Sequence, residues 1–431
     1  MRTALLLLTL ALVAPGCSPT GASEGTGTNV VIVLIDQLRP DSMEAWAPQL
    51  TALAGQGVVA DQMRSVAPWT YPSVVSLMSG LYPQQHNADG DMFTNVLTTF
   101  DEQLPLLPAA LGARGYDTAA FITNPFLHTW NPFHEAFDLY DADFIGSQGN
   151  LRGKGTLVWK GEMFADTVNA SIREHFDAAP PSAPEFTYIH YIDVHGPWEG
   201  APFEADYEAS IRWIDDKVVE VYEYMLARYD GDVIFIVTSD HGMALEDDET
   251  IGSGEKWRVN KKTVHDFNLR IPFAVLPSRH VTATRRFDVS CSNVDVVPTL
   301  LDWLEIEPEW MMPGTSLMPL VRGEADTLPE RALYSRNSSF KELNECVVYE
   351  GRKYIKHYNP RNRRPTATRV FDLGADPRET DSLGEAMGDV RPMFDEAKGT
   401  HGLHFKGRFA ETPNEVLEGL KALGYMGGNN R

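Results

Sequence analysis

Cysteine is scarce in this chain: three in 431 residues, one of which, Cys17, lies in the first segment. So few exclude a disulfide-dense scaffold and a multi-cysteine zinc domain. Cys291 and Cys346 could form one bridge in an oxidising compartment or remain two buried thiols, and sequence leaves that choice open. Positive charge is also in deficit. Against 60 Asp and Glu stand 37 Lys and Arg, a formal net charge of −23. A surface of that sign repels nucleic acid and anionic lipid headgroups, so neither is an expected partner. An anionic substrate would need a bound cation or a local basic patch. Internal repeats and long low-complexity stretches are missing as well, which excludes a solenoid. Oligomeric state is not readable.

What is present begins with an export signal. Arg2 precedes the apolar run Leu5 to Val13, which ends in Ala14-Pro15-Gly16-Cys17. The run is too short for a permanent membrane helix. Small residues before a cysteine resemble a bacterial lipobox, although Ala14 stands where Leu is usual. The alternative is an ordinary signal peptide. The lipobox reading makes 1–17 a signal segment with lipidated Cys17 as anchor, and 18–28 a Gly/Ser/Thr-rich tether. The protein is then expected on the bacterial cell envelope, touching the membrane only through that lipid.

Beyond the tether, strands and helices alternate. Val30 to Ile35, Thr118 to Thr123, Phe186 to Ile192 and Val233 to Thr238 are apolar, largely β-branched runs, as expected of strands covered on both faces. Tyr207, Ile211, Ile214, Val218, Tyr222 and Met225 recur at helical spacing. This alternation predicts an α/β fold, a mixed and mostly parallel sheet sandwiched by helices, over 29–330. Past about residue 330 the texture changes. Cys346 to Glu350, Lys353 to His357 and Arg369 to Asp372, separated by turn-rich stretches, predict a small antiparallel lobe within a C-terminal subdomain, 331–431. Asp295 to Leu304 and Glu415 to Leu423 have helical patterns.

Two predicted strands end in a carboxylate followed by another ligand type: Asp36-Gln37, and Asp240-His241 within Thr238-Ser239-Asp240-His241-Gly242. Ligands gather at the carboxyl ends of strands in such sheets. One Asp there is more often a cap, but two pairs suggest a metal cradle. Thr70, in Pro68-Trp69-Thr70-Tyr71-Pro72-Ser73, precedes a predicted helix start at Pro72 and Ser73. It would sit beside a helix N-terminus, where an anion is favoured. Taken alone, Thr70 reads as a cap. Beside a divalent cation its hydroxyl becomes a usable nucleophile.

The blocks NVVIVLIDQLRPD (29–41), APWTYPSVVSLMSGLYP (67–83), HYIDVHGP (190–197), TSDHG (238–242), LRIP (269–272), Val294 to Leu304 and the closing LKALGY together resemble sulfatase-like members of the alkaline phosphatase superfamily, in family order. The resemblance implies an alkaline phosphatase-like fold and one divalent cation, manganese, zinc or calcium. Asp36, Gln37, Asp240 and His241 would ligate it, with Thr70 as nucleophile against it. His195 would contact the transferring group or protonate the leaving group. Lys261, or nearly as well Lys262, would approach the substrate anion, unless both are solvated surface lysines. Asp193, His195 and His265 could form a second metal site.

The departures shape the expected chemistry. Sulfatases convert a Cys or Ser in C-x-P-S-R to formylglycine, whereas this chain reads Thr70-Tyr71-Pro72-Ser73-Val74. A threonine cannot give that aldehyde. The Lys-Trp-His stretch that grips sulfate in many sulfatases is absent, and Ile122-Thr123-Asn124-Pro125 stands near its place. Unmodified Thr is typical of phosphoryl-transferring relatives, and a Thr ester must be released by water. His241, where many sulfatases have Asn, favours manganese or zinc over calcium. The expected substrate is an anionic ester, of phosphate or phosphonate, within reach of sugar- or nucleotide-linked compounds. One alternative is sulfate ester hydrolysis without formylglycine. Another is a catalytically degenerate surface binding lipoprotein, an idea kept open by Met243, where relatives carry Glu. His86 and His190 read as structural core histidines, and Trp130, Trp198 and Trp257 as stacking or packing residues in loops.

Overall fold

The computed structural model describes residues 27–91, 96–142, 164–196, 201–245, 263–338, 343–359, 362–384, 390–399, 405 and 408–409. Cys17, Trp198, Trp257, Lys261, Lys262 and the predicted helix at 415–423 lie outside these residues.

Eight strands form the main sheet: β1 (Asn29–Ile35), β2 (Val58–Arg64), β3 (Asp117–Ile122), β4 (Leu139–Asp141), β5 (Glu185–Tyr191), β6 (Val233–Thr238), β7 (Phe273–Val275) and β8 (Arg285–Ser292). Their spatial order is β8-β2-β7-β6-β1-β5-β3-β4. Only β7 runs antiparallel to its neighbours; the other pairings are parallel. The four aliphatic runs are adjacent interior strands, β6-β1-β5-β3, and every residue of β1, β5 and β6 is buried. With both faces covered there is no polar face to maintain, which is why these strands read as continuous rather than alternating.

The covering helices are amphipathic or wholly buried. Helix α1 (Thr70–Ser79) is buried along its whole length. It packs on Asn293–Asp295 and on the helix that continues from it, Val296–Trp303. The long helix Tyr207–Arg228 buries the stripe Tyr207, Ile211, Ile214, Val218, Tyr222 and Met225, and Asp206 caps its start by accepting from the Ala209 N–H. Helix Ala165–Asp177 packs beside it.

A second, antiparallel sheet, β9 (Leu333–Asn337), β10 (Leu343–Tyr349), β11 (Arg352–Tyr358) and β12 (Pro365–Asp372), lies C-terminal to these elements. Hydrogen bonds from Arg336 N to Val66 O and from Ser335 Oγ to Ser65 O attach it to the main body. A buried ionic cluster reinforces the join. Lys353 Nζ lies 2.7 Å from Asp266 Oδ1 and 3.0 Å from Glu379 Oε1, while Arg64 grips the other side of Asp266 at 2.7 Å. Two cations and two carboxylates neutralise one another there. Cys291 and Cys346 are both free, buried thiols in separate apolar clusters.

Candidate active site

The site forms where three strands end. Asp36 follows β1, Asn124 follows β3 and Asp240 follows β6. Gln37, at φ 64°, turns the chain sharply after Asp36. Its N–H donates to Asp240 Oδ1 at 3.2 Å and its carbonyl accepts from the Tyr207 hydroxyl at 2.8 Å, so the turn ties the two strand ends together. The Thr238-Ser239-Asp240-His241-Gly242 segment is fixed just as tightly. His241 N donates to Asp240 Oδ1 at 2.9 Å, and Gly242 N donates to Asn268 O at 2.7 Å. A Cβ on Gly242 would stand 2.2 Å from the Phe267 carbonyl oxygen, so close backbone approach requires glycine there.

Thr70 is the first residue of α1, two residues earlier than the Pro72 start expected from sequence, with extended Trp69 as its cap residue. Its hydroxyl donates to Asp36 Oδ2 at 3.3 Å. Ser73, one turn along, donates to the Asp240 carbonyl at 2.5 Å and pairs with Ser65 Oγ at 2.6 Å. The helix that carries the hydroxyl is thereby pinned to the loop that carries Asp240.

Asp36, Asp240 and His241 place one ligand atom each within 4.8 Å of one another, all buried. The atoms concerned fit a cation. Asp36 Oδ1, Asp240 Oδ2 and His241 Nε2 are buried polar atoms without a hydrogen-bond partner. His241 Nδ1 lies 2.8 Å from the Gly242 carbonyl and donates to it, which leaves the Nε2 lone pair facing the carboxylates. Three orphaned acceptor atoms converging on one point would each cost free energy unless something bridges them. Two carboxylate oxygens and an imidazole nitrogen suit a divalent cation. Without a cation, burial pushes the Asp36 carboxyl up. The charge of His195, the hydrogen bond from His190 and the charges of His241 and His190 outweigh it and hold Asp36 well below the usual range. Asp240 is pushed up, by burial first and by the Asp36 charge second. Asp36 keeps the negative charge and Asp240 takes a proton first.

His195 is buried beside this pair, with Nδ1 bonded to the Gly196 carbonyl. The trio Asp193, His195 and His265 is not brought together: among the described residues the Asp36 group is the one cluster with metal-ligand spacing. Asp193 instead accepts from Ala165 N at 3.0 Å and Trp213 Nε1 at 2.9 Å, which anchors helix Ala165–Asp177. His265 bonds Thr263 Oγ1 and stacks on Phe267. His86 is structural as expected, its two nitrogens taken by Ser76 Oγ and Ala88 N. Trp130 packs against Tyr71 with centroids 5.2 Å apart.

Two site residues were missed from sequence. Asn124 Nδ2 donates to Asp36 Oδ2 at 2.6 Å and approaches Thr70 Oγ1 at 3.4 Å. The available signal was its place after a buried strand, the same position that marked Asp36 and Asp240. His190 is the core histidine expected, but its Nε2 lies 3.3 Å from Asp36 Oδ2 while Tyr188 OH holds its Nδ1 at 2.8 Å. Its strand pairs directly with β1, Leu34 opposite His190, and this brings the ring to the site.

The sulfatase family model matches residues 28–306, and that of the N-sulphoglucosamine sulphohydrolase C-terminal region matches 254–391. The chain is 31% identical over 190 residues to a choline-sulfatase of Rhizobium meliloti (strain 1021), an alignment that spans 42% of this chain and 32% of that one. It thus spans about a third of that relative's length. It is 20% identical to an N-acetylglucosamine-6-O-sulfatase of Bacteroides thetaiotaomicron, over 88% of this chain and 86% of the relative. Among solved structures, a phosphonate monoester hydrolase of Agrobacterium radiobacter superposes with a TM-score of 0.63 at 17% identity, covering 86% of this chain and 92% of that one. A structure in complex with its substrate D-glucosamine-2-N,6-O-disulfate gives 0.63 at 15% identity, covering 92% and 98%.

Proposed function

The chain belongs to the sulfatase family of the alkaline phosphatase superfamily, and from that premise we propose that this hydrolase cleaves a phosphate or phosphonate ester with Thr70 as its nucleophile. The observation that carries the reading is the placement of the Thr70 hydroxyl, 3.3 Å from Asp36, at the N-terminus of a buried helix and beside three convergent orphaned ligand atoms. Asp36, Asp240 and His241 would hold the cation, and Gln37 is proposed as a fourth ligand. When bound, a divalent cation supplies charge neutralisation and lowers the pKa of an adjacent hydroxyl.

The chain's own groups account for the rest. The N-terminal end of helix α1, the positive end of its dipole, is proposed to face the place where an anionic ester would lie. The Thr70 hydroxyl would lose its proton to solvent and its Oγ attack phosphorus, the ester P–O bond would break, and His195, protonated on both ring nitrogens, would give its Nε2 proton to the departing alkoxide. Its Nδ1, bonded to the Gly196 carbonyl, keeps Nε2 as the working nitrogen. Water then attacks the Thr70 ester with His195 as base, which frees the hydroxyl. Lys261 is proposed to meet the substrate anion. A side chain that cannot become formylglycine favours phosphorus over sulfur, because the covalent ester must leave by hydrolysis rather than elimination.

A second reading, hydrolysis of a sulfated sugar, is favoured by the names of the relatives and by the disulfated glucosamine bound to one structural neighbour. A binding protein without turnover is the third, and the intact Asp36, Asp240 and His241 set speaks against it. Rapid acid quench during turnover of an aryl phosphonate, followed by peptide mass spectrometry, separates them. A phosphonylated peptide containing Thr70 is expected. Steady turnover with no adduct on that peptide under pre-steady-state sampling would remove Thr70 from the role.

Export and anchoring through Cys17 are part of the proposal. Among the described residues no helix is long and apolar enough to cross a membrane.

A further inference from the structure

Asp36 has two unlike oxygens. Oδ2 receives Asn124 Nδ2 at 2.6 Å, the Thr70 hydroxyl at 3.3 Å and His190 Nε2 at 3.3 Å. Oδ1 receives no hydrogen bond and faces Asp240 and His241. The shortest of the contacts on Oδ2 comes from Asn124, so that amide decides which oxygen is turned to the ligand cluster.

The orientation of the amide is itself determined. Asn124 is fully buried and caps the short turn Pro125–Leu127, its Oδ1 accepting the Phe126 N–H at 2.9 Å. With Oδ1 committed to a donor, Nδ2 must point at Asp36 and Thr70. The segment cannot drift from the helix that carries Thr70. Phe126 packs edge-on to Trp69 at 5.4 Å and lies nearly parallel to Tyr71, 13° between planes at 6.5 Å. The residues on either side of Thr70 thus grip the residue two places after Asn124.

We propose that Asn124 is a positioning residue that fixes Asp36 through Oδ2, so that Oδ1 is presented as the single ligand oxygen, and that directs a neutral hydrogen bond towards Thr70 Oγ. The inference rests on the cation-dependent Thr70 reading and adds to it the group that sets up both partners. Hydrogen bonds to a ligating carboxylate orient the ligand, and their loss typically lowers metal affinity about 10–100-fold. A donor on Thr70 Oγ matters most when that oxygen is charged, as it ionises before attack and as it leaves the covalent ester, so its loss lowers kcat more than it raises KM.

Two substitutions separate this role from the cap. Asn124→Ser keeps a side-chain acceptor for the Phe126 N–H but is too short to reach Asp36; Asn124→Ala loses both. The full chain, stripped of metal, is titrated with Mn²⁺ by calorimetry without substrate, and melted in parallel. The expected result is one tight Mn²⁺ site in the wild type, weakened about 10–100-fold in both variants. The melting temperature of metal-free Asn124→Ser should stay near wild type, while that of Asn124→Ala falls. With saturating Mn²⁺, Asn124→Ser should retain its KM and lose kcat. Wild-type Mn²⁺ affinity in Asn124→Ser, or lowered stability in both variants with affinity intact, would overturn the positioning role and leave only the cap. Absence of any Mn²⁺ site in the wild type would remove the parent reading and this inference with it.

Discussion

Asp240→Asn should make the metal-free protein more stable, the reverse of what most buried substitutions do. The ligand atoms of Asp36 and Asp240 lie within 4.8 Å. At an effective dielectric of about 20, two unit charges at that distance repel by about 3.5 kcal/mol. Asparagine keeps the shape, and its Oδ1 can still accept from Gln37 N and His241 N, which now reach Asp240 Oδ1 at 3.2 and 2.9 Å. Those two bonds lose their charge-assisted character, a loss of about 1 kcal/mol in total. The net gain is then about 1–3 kcal/mol, a rise of a few degrees in Tm for a domain of this size. The sign with pH follows from the raised Asp240 pKa. The stability linked to its protonation is complete below the ordinary value of 3.8 and is lost as pH climbs through the raised value. The gap between variant and wild type should therefore widen from acid to alkaline pH. Thermal unfolding at pH 8 in EDTA and in excess Mn²⁺ measures it. Wild type should gain stability with Mn²⁺ and the variant should not. A variant that melts below wild type in EDTA, or gains as much from Mn²⁺, would refute the paired-carboxylate account.

Lys353→Met leaves Glu379, 1% exposed, without its cation and Asp266 with Arg64 alone. Breaking a buried ionic cluster in this way costs about 3–5 kcal/mol, to be read by chemical denaturation; a loss under about 1 kcal/mol would show that the cluster does not clamp the C-terminal sheet. Cys17→Ser should move the protein from the membrane fraction to the soluble envelope fraction, and retention at the membrane would end the lipid-anchor proposal.

The parts of the fold written as local pattern were legible. The aliphatic runs predicted β1, β3, β5 and β6 within a residue at their ends, and the stripe from Tyr207 to Met225 predicted its helix. Three-residue β7, reversed between β2 and β6, carries too short a signal to read, although it makes the sheet mixed. Asp36, Asp240 and His241 were legible as candidates because each follows a predicted strand, and Thr70 because it stands at a predicted helix start. Asn124 follows one too, but its meaning depends on β3 lying one strand away from β1 across β5, and strand order is not written locally. His190 looked like a core residue because it is one; that its ring also reaches Asp36 depends on the β1–β5 register. Asp193 carried a ligand's chemistry, but packing assigned it to the Ala165 N–H and the Trp213 indole. The Lys353 cluster contains a direct bond between residues 202 positions apart, Arg64 and Asp266, beyond any sequence periodicity.

The most direct test of the central claim is a side-by-side assay of aryl phosphate, bis-aryl phosphate, aryl phosphonate and aryl sulfate with the protein reconstituted in turn with manganese, zinc and calcium, beside Thr70→Ala. The account predicts turnover of at least one phosphorus ester with manganese or zinc, lost on chelation and lost in Thr70→Ala. Turnover of the sulfate alone, or turnover that persists in Thr70→Ala, would contradict it.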